Sequence, residues 1–245
     1  MQTYDAHSLP ENDNVNSYAF SIALNGRWFV SKGAMIAYYG NVSFDAVTTW
    51  ASRDAHIAGK FSSPIYIQDW VVAEGHGKVI VGDRGFDLQS FDLEDGNLTI
   101  RASNLVGFET GLELKQSIVP GFVTLIGTGK FLASSNGPVI FAEPPFRADP
   151  DALLGWADCP APSHHYDAQW MSASLGSMLQ GMFGRESGEE RQFDFTGSGT
   201  ILIQSTEVLR EDPALMRIME QQTALLSPQQ AGLLGQRLVA RSQQA

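Results

Sequence analysis

The feature that most narrows what this chain can become is a glycine-punctuated unit that occurs twice. The first copy is Gly75-His76-Gly77-Lys78-Val79-Ile80-Val81-Gly82-Asp83-Arg84-Gly85 and the second is Gly127-Thr128-Gly129-Lys130-Phe131-Leu132-Ala133-Ser134-Ser135-Asn136-Gly137. In each, G-x-G-K opens a short run with apolar residues at i and i+2, and a closing glycine falls eight residues after the second one. A partial third copy, Gly197-Ser198-Gly199-Thr200-Ile201-Leu202-Ile203-Gln204, lacks the lysine and the closing glycine. Glycine reaches positive φ without a Cβ clash, so the spacing predicts a turn or bulge, then a strand, then a turn into the next strand. Val79 with Val81, Phe131 with Ala133 and Ile201 with Ile203 then share one face of a sheet. The unit is not a phosphate loop: a dinucleotide fingerprint needs a third glycine where Ile80, Leu132 and Leu202 stand, and no G-x-x-x-x-G-K-[ST] is formed.

A chain of 245 residues with 43% apolar content can fill one large all-β body or two fused small domains. Its formal charge of −11, with Lys and Arg scattered, repels phosphate polymers and anionic lipid alike, which excludes nucleic acid as a natural partner. Cys159 is the only cysteine, so no intramolecular disulfide or multi-cysteine metal site can form. With no basic start before an apolar stretch and no run of membrane-spanning length, the expected location is the cytoplasm.

Along the chain, residues 1–17 read as a polar lead-in. Asn25-Gly26 predicts a two-residue hairpin turn between Ala19–Leu24 and Arg27–Val30, and Lys32-Gly33 and Gly40-Asn41 predict further turns in a meander of short strands. Asp95-Gly96-Asn97 predicts another. Pro144-Pro145 interrupts the second half, between strands at Val139–Phe141 and Ala152–Ala157. Met171, Leu175, Met178, Leu179, Met182 and Phe183 instead fall at helical spacing, and Asp212-Pro213 opens a helical tail. The expected fold is therefore all-β: a duplicated β-sandwich, or double-stranded β-helix-like body, with a short C-terminal helical tail. Its parts are a first β repeat over 18–110, a second over 111–208 and a tail over 209–245.

Candidate chemistry is sparse. A cupin-type metal site needs H-x-H, but Glu74 stands two residues before His76. His164 and His165 point to opposite faces if they lie on a strand, whereas His165 and Asp167 would share one. No base accompanies Cys159, and G-x-S-x-G is absent. The expectation is a protein that is not an enzyme, takes no cofactor and binds no metal; the alternative is a small-ligand- or metal-binding enzyme with its site at His76 or at His165 and Asp167. Methionine adapts to uneven surfaces, so the stripe from Met171 to Phe183 is the candidate contact with a second copy or another protein; a membrane surface is the least favoured partner, because no flanking Lys or Arg supports it.

Lys32-Gly33-Ala34-Met35-Ile36-Ala37-Tyr38, Gly75-x-Gly77-Lys78-Val79-Ile80-Val81, Val119 to Phe131 with Gly127-x-Gly129, and Gly188-Glu189 followed by Phe195-x-Gly197-x-Gly199 and Gln204 resemble the Altered Inheritance of Mitochondria protein 24 family. The resemblance runs from Tyr18 to Glu207. It departs at Glu189-Glu190-Arg191-Gln192, where relatives often have an apolar strand start. It implies a fold similar to the tryptophan RNA-binding attenuation protein, with two intertwined copies of that unit in one chain. It implies no catalytic residues, and likeness in fold does not carry RNA binding onto an acidic chain. The function expected is assembly or partner binding, through homo-oligomers or another protein.

Overall fold

The computed structural model describes residues 5, 7–47, 69–158, 161–166 and 191–207. The chain divides after Arg210 into two units, and every described residue belongs to the first. The described residues lie mostly in strands: β1 (Asp13–Asn16), β2 (Ala19–Ser31), β3 (Met35–Ala46), β4 (Trp70–Gly82), β5 (Asp87–Arg101), β6 (Leu105–Glu109), β7 (Leu112–Gln116), β8 (Phe122–Ser135), β9 (Ile140–Ala142), β10 (Phe146–Ala148), β11 (Leu153–Ala157), β12 (Ser163–Tyr166), β13 (Arg191–Phe195) and β14 (Thr200–Ile203). A single 3-10 turn, Ala102–Asn104, joins β5 to β6. All pairings are antiparallel. One sheet of eleven strands runs β3-β4-β2-β6-β8-β5-β11-β14-β9, with β1 added to β2 and β7 to β8; a second has the order β10-β13-β12.

The long strands correct the expected meander of short ones. Asn25-Gly26 makes no hairpin, because β4 runs beside all thirteen residues of β2 and holds them in one ladder. Gly40-Asn41 likewise lies inside β3, paired with Gly77 and His76. The Asp95-Gly96-Asn97 segment is absorbed in β5 as an irregularity between Leu93 and Gly96. The paired glycines of the repeated unit sit in mid-strand, Gly75 and Gly77 in β4 and Gly127 and Gly129 in β8, rather than in turns before them. Other expectations hold: Lys32-Gly33 turns, Gly85 and Gly137 lie just beyond their strands, and Gly197–Gly199 leads into β14. The lead-in is more ordered than its polarity suggests. It contributes β1, and Leu9 is buried.

Mid-strand glycines let these strands curve. Gly75 and Gly77 hold φ of +133° and +157°, and Gly127 and Gly129 hold +121° and +157°, the same backbone shape in both copies. One face of the curved β2–β4 ribbon, Phe20, Ile22, Leu24, Trp28 and Val30 with Ala73, Val79 and Val81, encloses a core shared with Leu88 and Leu132. Beyond the bend the opposite face also becomes interior. Phe29, Trp70 and Val72 pack there with Leu98, Ile100, Phe108, Leu125 and Phe131 in a second core, where Phe29 stacks on Phe108 at 4.8 Å. A third cluster gathers Phe122, Leu153, Trp156, Phe193, Phe195 and Ile201 under the small sheet. Arg101 closes that end: its guanidinium lies 4.9 Å from the Phe122 ring centroid and donates to the carbonyls of Pro150 and Leu153.

Candidate functional site

The lysines of the repeated unit are engaged by the chain itself. Lys78 Nζ donates to the Leu9 carbonyl at 2.6 Å and lies 3.7 Å from Glu11, so it fastens the N-terminal segment across β4. Asn12 and Asn14 continue that fastening: Asn12 Oδ1 accepts the Ala23 N–H at 2.9 Å, and Asn14 Nδ2 donates to the Leu88 carbonyl at 2.7 Å. Lys130 Nζ pairs with Asp92 at 2.9 Å on the neighbouring strand. Both ammonium groups therefore do structural work in G-x-G-K.

His76 is exposed at the bend, across from Asn25 on β2 and Asn41 on β3. Glu74 pairs with Arg27 at 3.1 Å. His164 and His165 are adjacent on β12, opposite Phe193 and Gln192 of β13, as a strand assignment requires. Among the described residues no three His, Cys, Asp or Glu side chains are grouped to hold a metal. Asp167, Cys159 and the stripe Met171, Leu175, Met178, Leu179, Met182 and Phe183 lie outside the described residues. So does the C-terminal tail.

A cleft of about 510 Å³ opens where Asn12, Arg27, Trp28, Glu74, Glu109 and Thr110 meet. Its three charged side chains are engaged within the scaffold. Arg27 holds Glu74, and Glu109 Oε2 accepts the backbone N–H of Lys130 at 2.8 Å, beside the glycine pair of β8. Such an arrangement braces strands.

Much of the exposed apolar surface lies instead on the outer strands. Met35, Ile36, Tyr38 and Tyr39 are exposed on β3, with Ile36 at 61%, and Ile140 and Phe141 are exposed on β9 at the other edge; Tyr18, Ile118 and Ile126 are exposed elsewhere. From Gly33 to Phe44 there is no charged residue and no proline. Natural sheets commonly protect a free edge with lysine, proline or a bulge. Here only the register shift between Met35 and Ala37 interrupts the edge. In the sequence, Ala34 to Tyr39 runs apolar without the polar alternation of a half-solvated strand, which is the pattern of a core strand and not of an exposed edge.

Bent antiparallel ribbons around shared cores, with no helix among the described residues long and apolar enough to cross a membrane, define an all-β protein built on edge-bearing sheets. Residues 6–206 match the mitochondrial biogenesis AIM24 family, and the chain belongs to that family. It is similar in fold to the solved structure of protein SPYM3_0169 from Streptococcus pyogenes, with a TM-score of 0.55 and 16% identity over 87% of this chain and 97% of that one. No curated protein matches the sequence.

Proposed function

We propose that this chain is a non-catalytic assembly protein that works by contact with other protein surfaces, as a homo-oligomer or with a protein partner. The observation that carries the reading is the exposed, uncharged, Tyr- and Met-bearing edge of the large sheet. Interface cores are enriched in aromatic residues and Met and depleted in Lys, Glu and Asp, and β3 has that composition. The charged side chains of the cleft support the same reading, since Arg27 and Glu74 brace β2 against β4 and Glu109 holds β8. We read the two glycine-bent ribbons, β2–β4–β3 in the first repeat and β8–β7 in the second, as parts of two copies of one sandwich module that intertwine, placed in the cytoplasm. Similar φ at the paired glycines, +133° and +121° at the first and +157° at both second positions, is the support for duplication.

Sedimentation velocity of the full chain tests the function. The expected result is a concentration-dependent species heavier than 26.7 kDa. A monodisperse monomer at all concentrations, with a stoichiometric metal ion that chelator removes, would favour a metal-dependent enzyme instead.

A further inference from the structure

We infer that the β3 edge is the contact between two copies of this chain, joined about a two-fold axis at the bend near Gly40. This rests on the assembly reading above and names its surface and its occupant.

The argument starts from a row of glycines. Across the bent ribbon, Gly26 of β2 lies opposite Gly75 of β4, and Gly77 of β4 lies opposite Gly40 of β3. A Cβ on Gly75 or Gly77 would overlap the backbone oxygens of Asn41 and Tyr39, and one on Gly40 would come within 2.6 Å of the His76 oxygen. Each strand added to this ribbon thus brings its own glycine to the bend. β3 is the outermost strand, and no described residue pairs with its outer side. A further strand that follows the curvature needs a glycine at the matching place. A second copy of β3 supplies one.

Symmetry fits that occupant. Rotation by 180° about the sheet normal makes two β3 strands antiparallel, as every pairing in the sheet already is, and preserves the sense of curvature. The contact is isologous, so it closes at two copies and occupies the β3 edge of both. Charge fits as well. Two chains of formal charge −11 repel, and the stretch Gly33–Phe44 lets them meet without opposing carboxylates. Ile36, Tyr38 and Tyr39, exposed in one copy, are then covered by the other.

Two variants test this in the full chain with Cys159→Ser as background. Asn41→Cys places a thiol beside the proposed axis, so mild oxidation is expected to link two copies covalently. Ile36→Lys with Tyr39→Lys, both at exposed positions, is expected to raise the dimer dissociation constant at least tenfold while the far-UV circular dichroism stays that of the parent. A dimer that the lysine pair leaves intact, or that Asn41→Cys fails to link, would overturn the β3 contact and leave the assembly reading standing. A chain that is monomeric at every concentration and binds no protein would overturn both.

Discussion

Gly77 and Gly40 face each other across two hydrogen-bonded strands, and neither position has room for a side chain. Their closeness explains a second relationship on the same strand. Tyr38 and Phe44 meet edge to face with ring centroids 5.5 Å apart, although six residues of straight strand would separate them by about 20 Å. β3 therefore doubles back on its concave face at Gly40, and β4 follows it at Gly75 and Gly77. Sequence, backbone and packing are linked here by the missing Cβ.

Substitution at this crossing is expected to be costly in proportion to crowding. Gly77→Ala combines a positive φ with a clash against the Tyr39 backbone oxygen, which cannot swing away as a side chain would. It should lose about 3 kcal/mol or more. Gly26→Ala shares the positive φ, at +119°, but meets nothing within 4 Å, so it should lose only about 1–2 kcal/mol. Urea unfolding of the two variants compares them, and equal losses would mean that φ alone makes these positions glycine.

Lys78 provides a different test, because its ammonium acts on one segment. Lys78→Met keeps most of the stem and removes the donor to the Leu9 carbonyl. Amide hydrogen exchange over residues 9–16 should quicken at least tenfold, while β8 and β5 amides stay as they were. Lys130→Met should leave residues 9–16 unchanged, since Lys130 pairs with Asp92 instead. Weakened binding of inorganic phosphate in either variant would contradict the structural role argued for both lysines.

These comparisons also show how far the residues alone could be read. Val79, Val81, Phe131 and Ala133 announced their buried faces through a period of two, and all four are buried. Glycine pairs announced positive φ but not its use, because a hairpin and a mid-strand bend both draw on it. What separates them is whether a partner strand continues past the glycine. For Gly26 that partner is β4, about fifty residues further along the chain, and local sequence carries no trace of so distant a ladder. The exposed β3 edge was hidden for a related reason: an apolar run reads as core until the sheet order shows it outermost.

Asn104 joins the 3-10 turn to β8. It is buried, its Nδ2 donates to the Ser134 carbonyl at 2.7 Å, and Ser134 Oγ returns a bond to its carbonyl at 3.3 Å. Asn104→Ala leaves a buried carbonyl without that donor, so stability should fall by about 2 kcal/mol. Asn104→Asp should be no better, because the carboxylate cannot donate to the Ser134 oxygen and is buried beside it. Thermal unfolding at neutral pH measures both, and an Asn104→Asp variant as stable as the parent would show that the amide donor is dispensable.

Ser21 reverses the usual expectation for a buried polar group. Its hydroxyl is fully buried within β2 and finds no hydrogen-bond partner among the described residues. The folded state thus keeps a desolvated hydroxyl that the unfolded chain would give to water. Removing it costs no intramolecular bond, and alanine retains the Cβ, which lies on the face of β2 opposite Phe20 and Ile22. Ser21→Ala should therefore raise stability by about 1 kcal/mol, where an average core substitution lowers it by a similar amount. A lowered unfolding midpoint would reveal that the hydroxyl has an acceptor after all, and would place a buried water or a neighbouring carbonyl beside this strand.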